Sequence, residues 1–129
     1  MHDFTRLRVW QRAQQLSVEI HRETEGLDER VYPGVGERLR RAVIGISTHI
    51  AEGAAQPTPT LFAQALMQSV ASATDVLHQL RSARDIGCIH VTRYVMLDTE
   101  TQEIRRMTYA LRGKVIDRIN ARRSMPSRP

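Results

Sequence analysis

Eight basic side chains crowd the last twenty-five residues of this chain: Arg105, Arg106, Arg112, Lys114, Arg118, Arg122, Arg123 and Arg128. Asp117 is the one acid among them. The chain carries +5 in total, so this segment at +7 leaves the preceding 104 residues at −2. Such a block has two physical uses. It can neutralise phosphates and release their counterions, or it can place cations against the negative end of a helix dipole. The candidate phosphate contacts are Arg105, Arg112, Lys114, Arg118, Arg122 and Arg123. Tyr109 is the single ring nearby. Base stacking is therefore not expected, and binding should tolerate sequence and weaken with salt.

Three other constellations invite chemistry. Arg40 and Arg41 precede Glu52 and Gly53 on one helical segment. The arginines could contact phosphates with Glu52 orienting one of them, or form an ion pair between helices or subunits. His49-x-x-Glu52 and Asp75-x-x-His78 each place a carboxylate and an imidazole one turn apart. Di-iron bundles use Glu-x-x-His pairs on two helices and a Glu from each of two more. Here one pair runs in reverse, and Glu19 and Glu23 flank the apolar stripe of the first helix instead of occupying it. Edge polar side chains are thus expected, not a metal centre. Cys88 near His90 has no orienting carboxylate beyond Asp85, so an idle loop thiol is expected. No glycine-rich phosphate loop, zinc spacing or nucleotide fingerprint occurs. Neither a catalytic residue nor a cofactor is assigned.

The elements that must position these residues are helical. From about Thr5 to Thr24, Val9, Ala13, Leu16 and Ile20 share one face, flanked by Leu7 and Trp10. Gly26 to Glu29 and Tyr32-Pro33-Gly34 make a loop. From about Val35 to Gly53, Leu39, Val43, Ile46 and Ile50 repeat the pattern, and Gly53 reads as a stop. Gly45 lowers helix propensity, which a close helix–helix approach would offset. Thr58 caps a third helix with Pro59 at its first position. Its seam is Phe62, Leu66, Ser69, Ala73, Val76, Leu80 and Ala83, with Val70 and Leu77 beside it. Gly87 suits the left-handed residue after that helix. Thr92 is the expected cap of the fourth, whose apolar face is Leu97, Ile104, Met107, Leu111, Val115 and Ile119.

Four such helices with short links favour an antiparallel up-down-up-down bundle over residues 1–123, with a flexible basic tail at 124–129. The second apolar stripes on helices two and three exceed a monomer's needs, which points to a homo-oligomer. At 129 residues the chain fits one domain. A single cysteine excludes an internal disulfide and suits a cytoplasmic location. The first residues show no signal peptide, and the most apolar stretch, Ala42 to Ala55, is too short and polar for a membrane span.

Three motifs resemble one bacterial family. They are Phe4-x-x-Leu7-x-Val9-Trp10-Gln11-x-Ala13; Leu39-Arg40-Arg41-Ala42 running to Ile50-Ala51-Glu52-Gly53; and Phe62-x-x-x-Leu66, Ser72-x-x-Asp75, Gln79-Leu80 and Ile86-Gly87. In this order they resemble the four-helix-bundle proteins encoded in intervening sequences of large-subunit ribosomal RNA genes. Gly45, Ser47 and His49 stand where that family usually has Ser, Pro and Asn. The resemblance implies a ring, with five subunits in members whose assembly is known. It also implies kinship with the accessory protein of diversity-generating retroelements, which works with a reverse transcriptase and nucleic acid. Two functions are therefore expected as alternatives: a non-enzymatic oligomer that binds RNA, DNA or a nucleic-acid-handling partner, or a protein-interaction ring.

Overall fold

A computed structural model describes residues 2–124, and all regular structure among them is helical. A short 3-10 turn, Phe4–Arg6, precedes α1 (Arg8–Thr24), α2 (Val35–Ala54), α3 (Pro59–Asp85) and α4 (Val91–Arg123). Each helix packs on its two neighbours in chain order, and α1 closes the square against α4. The interhelical bonds give the directions. Arg12 of α1 reaches Glu100 of α4 while Glu23 reaches Arg93, so these two helices run antiparallel. The basic tail expected at 124–129 lies, from residue 125 onward, outside the described residues.

The boundaries follow from local chemistry. Thr58 accepts a hydrogen bond from the Leu61 N–H at 3.3 Å, and Pro59 occupies the first helical position, as expected. Gly87 has φ +81°, the left-handed geometry that lets the chain leave α3. Three expected boundaries shift. Asp3 caps the 3-10 turn at Thr5, and the α-helix proper starts at Arg8. His90, not Thr92, caps α4: its Nδ1 accepts from the Thr92 N–H at 3.2 Å. Gly53 does not stop α2, which continues to Ala54. A Cβ on Gly53 would lie 2.7 Å from the Ala65 Cβ, so the missing side chain serves contact with α3. Gly45 makes a similar approach, with Ser72 Oγ 2.6 Å from where its Cβ would be.

The core is the expected stripe: Leu16, Ile20, Val43, Ile46, Ile50, Leu66, Val76, Leu80, Leu97 and Ile104 are all sealed from solvent. Burying each such side chain is worth about 1.5–3 kcal/mol. Two polar residues on α4, Thr101 and Thr108, are equally buried and were not expected there. Each hydroxyl donates to the carbonyl four residues back, Leu97 O at 2.7 Å and Ile104 O at 2.8 Å, so neither is left unpaired. Ser69 ties α3 to α2 by donating to the Ile46 carbonyl at 2.9 Å.

One expectation about surplus apolar surface is corrected. Val70 is buried within the single chain, and Leu77 is half-buried. Val70 lies one turn from Thr74, and Arg105 of α4 donates to the Thr74 hydroxyl. The flank of α3 that looked spare is therefore the flank α4 covers. Large apolar side chains are exposed elsewhere, at Ile44, Leu61, Met67, Val95, Met96 and Tyr109 among others. None of the described helices is long and apolar enough to cross a membrane.

Candidate functional site

α4 has 33 residues and α3 has 27. The two run antiparallel from a short link, and the C-terminal end of α4 lies alongside the first turns of α3, where Arg123 shares a groove with Thr60. That end holds the basic block. Residue spacing sorts its cations into two lines. Arg105, Arg112 and Arg123 are seven and eleven residues apart, about two and three turns. Lys114, Arg118 and Arg122 recur every four residues, about 120° around the helix from the first line.

The structure places the lines on different flanks. Arg112 and Arg123 line a groove with Thr60, Ala63, Gln64 and Met67 of α3. Arg105, half-buried, reaches Thr74 of α3 at 3.2 Å. On the other flank Lys114 sits with Leu7, Arg8 and Arg106. Arg118 lies beside His2 and the Gln56–Pro59 turn. The six candidates therefore do not converge on one pocket. The two lines were legible in the spacings of seven and eleven against four.

None of the six lies within ion-pair distance of a carboxylate among the described residues. The contrast with the N-terminal half of α4 and its neighbours is sharp. Arg93 pairs with Glu23 at 2.9 Å, Arg12 with Glu100 at 2.8 Å, and Arg106 with Glu103. The hydrogen bond from Arg106 holds the Glu103 carboxyl below its ordinary range, and the Glu100 hydrogen bond makes the Arg12 guanidinium still harder to deprotonate. The Nε of Arg112 is buried and meets no acceptor.

The signature residues on α2 form no joint site within the chain. Arg40 crosses to α1 and donates to Thr24 Oγ1 at 2.8 Å, lying over Gly36. Arg41 pairs with Glu37 one turn back at 2.7 Å. Glu52 stands 3.4 Å from His49 Nδ1. The idea that Glu52 orients one of these arginines is corrected: eleven helical residues put roughly 16 Å between it and Arg41. Thr24, buried and bonded to Arg40, was missed from sequence because a lone threonine at a helix end reads as a polar terminus.

The remaining constellations stay apart. Asp75 accepts from Gln79, not from His78. No group of three or more His, Cys, Asp or Glu side chains gathers among the described residues. Burial pushes the Cys88 thiol up, and its Sγ faces the Ala83 carbonyl at 3.4 Å. The Cys88 thiol is engaged by the Ala83 carbonyl, and the His90 Nδ1 by the α4 cap, so the two side chains serve different contacts.

Fold and surface together define an all-α protein of four helices with unpaired cations massed at one end. Residues 5–110 match the model of the 23S rRNA-intervening sequence protein family, and the chain belongs to that family. The match contains the α2 signature and Arg105, but ends before Arg112. No curated protein matches the chain.

Proposed function

We propose that this chain is a non-enzymatic, self-assembling binding protein that holds nucleic acid through the C-terminal half of α4. The observation that supports the reading is the set of cations there without carboxylate partners among the described residues, beside an N-terminal half in which Arg93 and Arg106 are paired with carboxylates and Arg105 bonds Thr74 instead. The Lys114, Arg118 and Arg122 line is its centre. Those side chains are exposed, and about 6 Å of helix separates each from the next. Such a row suits successive phosphates of one strand and carries no means of reading bases. A row of exposed cations without base-reading groups does not choose between RNA and DNA, so both are tested.

Fluorescence anisotropy with mixed-sequence RNA and DNA across a salt series tests the reading. Affinity should fall linearly on log–log axes. For single strands the slope should shrink by about 2 units when the three cations are reversed, at about 0.7 per phosphate. Unchanged affinity after that reversal would defeat the proposal.

A second reading has its own support. Exposed Ile44, Leu61, Met67 and Val95 offer apolar surface for association. A ring of this chain without a nucleic-acid role would sediment as an oligomer, and it would ignore RNA at low salt.

A further inference from the structure

We propose that the groove between the N-terminal part of α3 and the C-terminal part of α4 docks an amphipathic helix of a partner protein. That helix carries two carboxylates about three turns apart, with apolar side chains between them. The inference goes beyond nucleic-acid binding and uses the opposite flank of α4 from Lys114, Arg118 and Arg122.

Two antiparallel helices wall the groove, which encloses about 410 Å³. Its middle is apolar, with Met67 and Ala63 on one wall and Ile116 and Ile119 on the other. Met67 is 37% exposed, so the groove is open along that wall. Its α4 wall is bracketed by two cations, Arg112 and Arg123. They are eleven residues apart, about 16 Å along the axis. Among the described residues, no acidic one lines it.

Arg112 carries the charge argument. It is half-buried on the groove lining and has no carboxylate partner among the described residues. Its Nε is enclosed by the chain, so the terminal nitrogens of the fork are the ones a partner carboxylate would meet, and a guanidinium fits a carboxylate better than a point charge would. A helix laid in a groove between two helices presents side chains at i, i+3, i+4 and i+7. Acidic residues eleven apart would then meet Arg112 and Arg123 while the apolar residues between them cover Met67, Ile116 and Ile119.

This chain does not supply such a helix itself. Its nearest match in spacing is Asp75 and Asp85 on α3, and the exposed or half-exposed side chains between them include His78, Gln79, Arg81 and Ser82. The charge pattern thus favours a different protein over a second copy. A nucleic-acid strand is disfavoured too, because the apolar middle gives phosphates nothing to bind.

The test uses the full chain and a labelled helical peptide. The peptide has glutamates eleven residues apart and leucines at the intervening groove-facing positions. Expected is binding with Kd in the range of about 1–100 µM, weakened at least about tenfold by Ile116→Glu. Changing both peptide glutamates to glutamine should weaken it comparably, as should Arg112→Gln with Arg123→Gln. Reversal of Lys114, Arg118 and Arg122 should leave it unchanged, although the same variant loses RNA. Circular dichroism checks folding, and Met67→Glu on the exposed wall reads the same groove if Ile116→Glu unfolds. No peptide binding to the wild type overturns the proposal. So does dissociation of an oligomer by Met67→Glu, which would make a second copy the occupant. Displacement of the peptide by RNA through Arg112 and Arg123 overturns it as well.

Discussion

The two halves of α4 are built on opposite electrostatic plans. The N-terminal half is rich in ion pairs: Arg93 to Glu23 and Glu100 to Arg12 tie it to α1, Arg106 meets Glu103 within α4, and Arg105 bonds the Thr74 hydroxyl of α3. Along that stretch Leu97, Thr101 and Ile104, with Thr108 just beyond, are sealed in the core. In the C-terminal half only Val115 is buried to that degree, and Arg112, Lys114, Arg118, Arg122 and Arg123 have no carboxylate partner among the described residues. One continuous helix thus joins a structural half to a half whose charges are free for a partner. The family match stops near the same division, at residue 110. A single helix can do both because its C-terminal half keeps one side, with Val115, Ile116 and Ile119, on the core while Lys114, Arg118 and Arg122 stay exposed.

The largest effect should come from the core of the structural half. Ile104→Ala is expected to cost about 2–5 kcal/mol of stability in urea denaturation. Ile119→Ala, half-buried in the other half, should cost about 1 kcal/mol or less. Equal losses would show that the C-terminal half is as integral to the fold as the first.

Charge reversal at Lys114, Arg118 and Arg122 comes next. It should weaken RNA binding about 10- to 100-fold at low salt. Stability should fall by no more than about 1–2 kcal/mol, because anions near a helix C-terminus oppose its dipole. A large stability loss would mean these cations are part of the folded frame.

Arg12→Ala removes the fork on Glu100, a pair about one-third exposed on each side. Solvent screening limits the expected loss to about 0.5–1 kcal/mol. RNA affinity should not change.

The smallest effect is a pH dependence. Arg106 lowers the folded-state pKa of Glu103. The resulting stabilisation is present above the ordinary carboxylate range and is lost as pH falls through the lowered value. Melting temperature measured against pH should therefore show a slightly shallower acid-side slope in Glu103→Gln. An identical slope in both proteins would remove Glu103 from the account.

Much of the frame was legible because it depends on local rules. Thr58-Pro59 and Gly87 mark helix ends through capping and a left-handed turn, whatever the rest of the chain does. The apolar periodicity of Leu39, Val43, Ile46 and Ile50 fixes a buried face for the same reason. His90 was harder to read as a cap because it is not among the usual capping side chains, and the cap forms through its ring nitrogen. The basic block was visible, but its division between two flanks depends on helical phase and on which neighbours lie alongside.

By itself the sequence determined an all-α chain of four helices, the stripe each buries, and the concentration of positive charge at the last. These follow from periodicity, capping and composition, which act within a few residues of one another. Only the tertiary structure decided that Thr101 and Thr108 are core, that α4 covers Val70, and that Arg40 serves Thr24. The spacing separates the two lines of cations, but only the fold showed that Arg112 and Arg123 bracket an apolar groove while Lys114, Arg118 and Arg122 stay exposed. The physical reason is that burial and pairing depend on which surface of another helix arrives at a side chain, and no local pattern records that.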